Sequence, residues 1–187
     1  MEQMPYFHVS ASPLAAGTVL RPFTFFNNFR DEMRTMATAL EVGPEAVRTI
    51  FLADYWLAAR LRSALSVGHK AASVLIETVF EHVRSQDYGD RPSRLVSAFA
   101  YPSLQTAERF RQQYRQQGVV LRCRLIDGEA FVGDMALSTP GLSVGRPMEP
   151  QVDALRERAH AYWQGVASPE WPEVLLKGRV EIVTSVE

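Results

Sequence analysis

The period of the hydrophobic positions changes near residue 90. From Pro44 to about Val67, Val47, Ile50, Phe51, Tyr55, Leu57, Ala58, Leu61 and Leu65 follow a helical spacing, which predicts an amphipathic helix. Pro44 suits its first turn and Gly68 its end. Val74, Leu75, Val79, Phe80 and Val83 predict a second helix over about His69–Tyr88. Elsewhere the pattern is that of strands. Tyr6–Ser10 is aromatic and β-branched, and Leu95–Ala100 is short and apolar. Val119–Ile126 and Ala130–Leu137 read as a hairpin around Asp127-Gly128. Glu173–Leu176 and Arg179–Ser185 read as a second, joined by Lys177-Gly178. A polar helix is expected over about Leu104–Gln117, with Ser103 as its N-cap and Gly118 as its stop. A third long helix is expected from Val152 to about Trp163. Two stretches read as irregular: the one marked by Pro13, Gly17 and Pro22, and the loop Pro140–Pro150. This order lacks strict βαβ alternation, so the fold class is α+β with a mostly antiparallel sheet.

Composition narrows the class. At 187 residues the chain is the size of one domain, 1–187, and 47% hydrophobic with 22% charged residues suits a globular core. The formal net charge of −1 points to no nucleic-acid or membrane partner on global grounds. Of the 20 basic residues only Lys70 and Lys177 are lysines. Arginine suits bidentate phosphate binding, and codon bias in a GC-rich genome gives the same skew. The single cysteine, Cys123, excludes an internal disulfide, and its place in Leu121–Ile126 suits a core thiol. No apolar run reaches the 18 or so residues of a membrane span. Met1–Pro5 lacks the pattern of a signal peptide, so a cytoplasmic site of synthesis is expected. Delivery by a dedicated secretion machine would leave no trace here.

Common chemical motifs are absent. There is no P-loop, no Gly-x-Gly-x-x-Gly and no Gly-x-Ser-x-Gly. His8, His69, His82 and His160 have no metal-ligand spacing to one another or to Cys123. Three segments stand out. Tyr6-Phe-His-Val-Ser10 places a histidine inside an aromatic strand; the plain alternative is a hydrogen-bonded core histidine. Arg91–Ser103 enters the helix that carries Gln105–Phe110, and it also suits an edge strand with a capped helix. Glu170–Val183 also suits an ordinary hairpin.

In this order the three segments resemble the ADP-ribosyltransferase fold. Phe7-His8-Val9-Ser10 resembles its opening aromatic-His-x-Ser/Thr strand. Ser97–Tyr101 with Thr106–Phe110 resembles its central strand and Ala-containing helix. Glu173-Val-Leu followed by Arg179–Val183 resembles the late strand that begins with the catalytic glutamate. Pro92-Ser-Arg94 and Ala161–Gly165 are similar to segments of an uncharacterised bacterial family associated with that fold. Two positions depart from the pattern. Val9 follows His8 where many members have Gly, and Trp171 precedes Glu173 by two where many have Gln or Glu. The second departure leaves the acceptor open between protein and nucleic acid.

The resemblance implies an antiparallel sheet split around an NAD cleft, with helical insertions, and transfer of ADP-ribose from NAD to a macromolecular acceptor with release of nicotinamide. A toxin, effector or phage-related modifier would suit such an enzyme. Expelling nicotinamide builds an oxocarbenium-like charge on the ribose, as in glycoside cleavage. By resemblance, Glu173 would bond the ribose 2′-hydroxyl and stabilise that charge, with Glu181 as the rival carboxylate. His8 would bind the other ribose, with Ser10 beside it, and the Val9 backbone would hold the carboxamide. Phe99 or Tyr101 would stack on nicotinamide, Arg94 would meet the diphosphate, and Ser97 would support the glutamate. No metal is implied. Two alternatives remain: a binding module that keeps the fold without turnover, and a related enzyme that transfers a phosphate from RNA to NAD. The second normally uses further His and Arg positions that have no match here.

Overall fold

The computed structural model describes residues 5–20, 69–138, 148–165 and 169–186, together with positions 38, 41 and 43. Among these residues the elements are β1 (Tyr6–Ser10), β2 (Val19–Leu20), α1 (His69–Asp87), β3 (Ala98–Ala100), α2 (Leu104–Tyr114), β4 (Val119–Asp134), α3 (Met148–Gln164) and β5 (Pro172–Val186). The protein is therefore mixed α+β with an antiparallel sheet and, among the described residues, three α-helices. The helix expected over Pro44–Val67 lies outside the described residues. The chain groups into two compact units, one of residues 1–23, 92–135 and 166–187 and one of 24–91 and 136–165.

The first unit is the sheet. β4 is the hub, pairing antiparallel with β1 along Tyr6↔Cys123 to Ser10↔Val119 and with β5 from Val120↔Val186 to Asp134↔Pro172. β3 pairs with the first half of β5 (Phe99↔Leu175) and β2 with its second half (Leu20↔Val180). A bridge between Phe7 and Tyr101, with amide–carbonyl bonds of 3.0 and 2.7 Å, ties β1 back to the end of β3. The pairings thus run in a circuit, β1–β4–β5–β3–β1.

Both hairpins expected from the sequence are instead single long strands. Gly128 of β4 lies directly opposite Gly178 of β5, both with positive φ (114° and 139°). A Cβ on either glycine would collide with the facing backbone. The Asp-Gly and Lys-Gly dipeptides therefore allow two paired strands to kink together, beside a register shift at Leu125/Asp127. Read singly, each looks like a turn. The segment expected as strand from Leu95 opens as a 3-10 turn, Arg94–Val96, capped by Ser93, and only Ala98–Ala100 is strand. Part of the Pro13–Pro22 stretch is strand β2, and residues 148–150 of the expected loop already belong to α3, where Pro150 is tolerated in a first turn.

Alternation along the strands feeds two cores. Ala98, Ala100, Leu121, Cys123, Leu125, Val174, Leu176, Val180 and Ile182 form one. Val9, Tyr101 and Val120 form the other with Ala107, and Phe110 packs against it, so α2 covers that face. Ser103 caps α2 as expected, accepting from Thr106 N at 3.2 Å. Cys123 is fully buried, and burial pushes its thiol up to about 12. It should resist a thiol reagent such as Ellman's in the native state and react once denaturant is added; fast native labelling would contradict this burial.

The second unit packs α1 on α3. Phe80 and Tyr162 meet edge-on at 5.3 Å between ring centroids, and the Trp163 indole donates to the Phe80 carbonyl at 2.8 Å. Trp163, Tyr162 and Phe80 are among its fully buried side chains. No described helix is long and apolar enough to cross a membrane.

Candidate functional site

Glu173 stands at the entry of β5, between the half-buried Pro172 and buried Val174. Because side chains alternate, Glu173 and Leu175 share one face of the strand, and Val174 and Leu176 share the other. Glu173 is 2% exposed. Its carboxylate oxygen Oε1 accepts from Arg94 Nη1 in a buried ion pair. Arg94 opens the 3-10 turn that precedes β3, is itself 5% exposed, and lies 4.9 Å from the centroid of the Phe99 ring. Two charges taken out of water in this way need each other: removing one leaves the other uncompensated.

Tyr101 completes this group. Burial first, and the Glu173 carboxylate second, push its phenol well above the usual range, although Arg115 and Arg94 pull the other way. The hydroxyl thus stays protonated beside the carboxylate. The Tyr101 ring packs at 5.0 Å on Phe110 and belongs to the core. This commits it to packing rather than to stacking on a ligand. Phe99 is half-buried and keeps that role open.

His8 sits one strand away. Its Nδ1 lies 2.7 Å from the Phe99 carbonyl, and since a carbonyl only accepts, Nδ1 carries the proton and Nε2 is left as the acceptor nitrogen. Burial is the main cause that lowers its pKa, with the Arg115 charge assisting and the Phe99 bond opposing. Alternation places His8 on the Tyr6 face of β1, while Phe7 and Val9 feed the core under α2. Phe99 links His8 and Glu173 only indirectly: its carbonyl holds the imidazole and its ring lies against the Arg94 that binds the carboxylate, but alternation puts His8 on the Val174 face of the sheet and Glu173 with Phe99 on the other.

A neutral His8 has a consequence for stability. Its folded pKa lies below the ordinary histidine value of about 6.5, so the unfolded chain takes up the proton first as pH falls. Its stabilising contribution is complete above about pH 6.5 and is lost as pH drops toward the folded value. Urea melts between pH 7.5 and 5 should show a decline that His8→Gln reduces; an identical decline in both proteins would refute the assignment.

The remaining residues are placed as follows. Val9 is buried and pairs with Val120, and Ser10 ends β1 with its Oγ accepting from Ser12 N at 3.4 Å. Ser97 is fully buried, and its hydroxyl donates to the Ser93 carbonyl at 2.7 Å. It therefore braces the turn that presents Arg94, where support of Glu173 was expected. Arg94, expected at a diphosphate, is engaged by Glu173. Glu181 bonds Arg124 at 2.6 Å across the second half of the sheet and lies opposite Val19.

Two residues of this neighbourhood escaped the sequence reading. Asp134 is buried and accepts from Glu170 N at 2.9 Å and Trp171 N at 3.0 Å, so it clamps the chain entering β5. Arg109 lies 3.7 Å from the Trp171 ring centroid and donates to the Glu170 carbonyl. The only available signal was an Asp inside the strand expected over Ala130–Leu137, a type that readily accepts from consecutive turn amides. No described group of His, Cys, Asp and Glu is arranged to hold a metal ion.

The family model described as a protein of unknown function, DUF2441, matches residues 29–187. The chain belongs to the DUF2441 family. In this DUF2441 member the matched region contains Arg94, Ser97, Phe99, Tyr101 and Glu173, whereas β1 with His8, Val9 and Ser10 precedes it. No curated protein matches the chain.

Proposed function

We propose that the protein is an NAD-dependent ADP-ribosyltransferase in which Glu173 is the catalytic carboxylate. One observation carries the reading: the three segments that resemble that fold, far apart in sequence, meet in one antiparallel sheet, with Glu173 at the strand entry beside Arg94 and Tyr101 and with His8 held on Phe99. The reaction asks little covalent chemistry of a protein. It requires a folded NAD, a fixed negative charge near the ribose, and a positioned acceptor. Glu173 supplies the charge, and Arg94 fixes where it sits. Glu173 accepts from the ribose 2′-hydroxyl and stabilises the cation that grows on C1 as nicotinamide leaves. Phe99, on the Glu173 face of the sheet, offers a ring face to the nicotinamide. The test is nicotinamide release from labelled NAD, with and without cell lysate as the source of acceptor, for wild type and Glu173→Gln. Equal release by both proteins sinks the assignment.

A second reading is favoured by the burial of Glu173 and Arg94, which suits a structural strut inside a binding module of the same architecture. That reading expects NAD to remain intact with lysate present, while unfolding is still sensitive to both residues.

A further inference from the structure

Where α2 ends, an open groove of about 500 Å³ is lined by Ala11 and by Gln113, Tyr114, Arg115, Gln116, Gln117 and Gly118. The proposed NAD chemistry does not use it. Its lining contains amides, one phenol and one guanidinium, and no acid. From Arg109 to Gly118 the chain carries Arg109, Arg111 and Arg115 without a single Asp or Glu. Arg111 is taken up by Glu108 at 2.8 Å and Arg109 by Trp171, whereas Arg115 is exposed and forms no ion pair with any described residue.

Tyr114 gives the groove a ring. It is 47% exposed although aromatic, and its position is fixed from behind. Phe110 supports it at 5.1 Å, Trp171 meets it edge-on at 6.0 Å, and Gln113 donates to its hydroxyl at 3.1 Å. The support continues inward, Tyr114 to Phe110 to Tyr101. The floor is tight. Gly118 N donates to the Arg115 carbonyl at 2.7 Å, and a Cβ on Gly118 would come within 3.0 Å of the Ser10 carbonyl. A braced aromatic face, an uncompensated guanidinium and a row of amides that both donate and accept form a surface for a base next to a phosphate. Proteins bind single strands with the same elements: stacking on an aromatic ring, with cations along the backbone.

The geometry points to single-stranded nucleic acid as the ligand of this groove, with a base on Tyr114 and a phosphate on Arg115. As an identification of the acceptor this rests on the transferase reading; as a binding site it does not. Net charge of the whole chain gave no hint of it, because the basic residues are local to one helix end.

The test is fluorescence anisotropy with a labelled single-stranded 12-mer oligonucleotide across a salt series, using the full chain. Tyr114→Ala should weaken binding by about five- to a hundredfold, as loss of one stacked base does, and leave the salt slope unchanged. Arg115→Gln should weaken binding and lower the slope by about 0.7, one phosphate contact on a single strand. Both positions are exposed, and circular dichroism checks that both variants fold. Absence of binding, or binding indifferent to both substitutions, overturns the proposal. So does binding of a mononucleotide as tight as that of the strand, or preference for a duplex. NAD turnover is measured separately: a protein that binds the strand but leaves NAD intact keeps the groove and loses the transferase reading, and one that consumes NAD without binding the strand does the reverse.

Discussion

Glu173→Gln lowers nicotinamide release by on the order of 10²–10³-fold. The two side chains are nearly equal in size, so the change removes charge rather than volume. A charge that matters most when the C1 cation develops acts on turnover more than on NAD binding. The signature is a fall in kcat with KM little changed. The substitution also affects the fold. Arg94 is buried against Glu173, and Gln leaves that guanidinium without a counter-charge. Breaking a buried pair from one side costs about 3–5 kcal/mol. The variant therefore has to be assayed well below its own unfolding midpoint, with circular dichroism recorded at the assay temperature. A folded Glu173→Gln protein that releases nicotinamide at the wild-type rate eliminates Glu173 as the catalytic carboxylate, and Glu181→Gln then becomes the comparison.

Arg94→Met destabilises the protein by about 3–5 kcal/mol in urea unfolding, for the converse reason: the carboxylate stays behind, buried and unpaired. The double variant Arg94→Met, Glu173→Leu recovers most of that loss, because an apolar pair of similar volume has no charge to desolvate. The double-mutant cycle separates two roles of one contact. If the pair is only a strut, the double variant retains whatever ligand binding the wild type has. If it belongs to a catalytic site, the double variant is stable and inert toward NAD. A double variant no more stable than either single one would show that the pair is coupled to further groups and does not act as an isolated unit.

Much was legible along the chain. The change of hydrophobic period near residue 90 separates helix α1 from the strands and short helix that follow, because period 3.6 and period 2 are local consequences of backbone geometry. Ser103 as a cap, Cys123 as a core thiol and the antiparallel character of the sheet have equally local causes. The segments around His8, Ser97 and Glu173 could be singled out because chemistry-bearing residues inside apolar strands are visible as exceptions.

Other features depended on partners that no local window contains. Asp127-Gly128 and Lys177-Gly178 each have the composition of a tight turn, and only their position opposite one another makes them a shared kink in two long strands. β2 is strand because β5 offers it an edge, not because of its own residues. Arg94 and Glu173 are 79 positions apart, and each taken singly reads as a residue ready to meet a ligand; burial decided that they meet one another. Asp134 is an ordinary strand-end acid until the chain returns 36 residues later to present two amides to it. The sequence by itself determined β1 and the three helices α1, α2 and α3, since propensity and period are local. The tertiary structure alone decided which polar groups are buried and with whom, since charges and hydrogen-bond donors are matched across the fold and not along the chain.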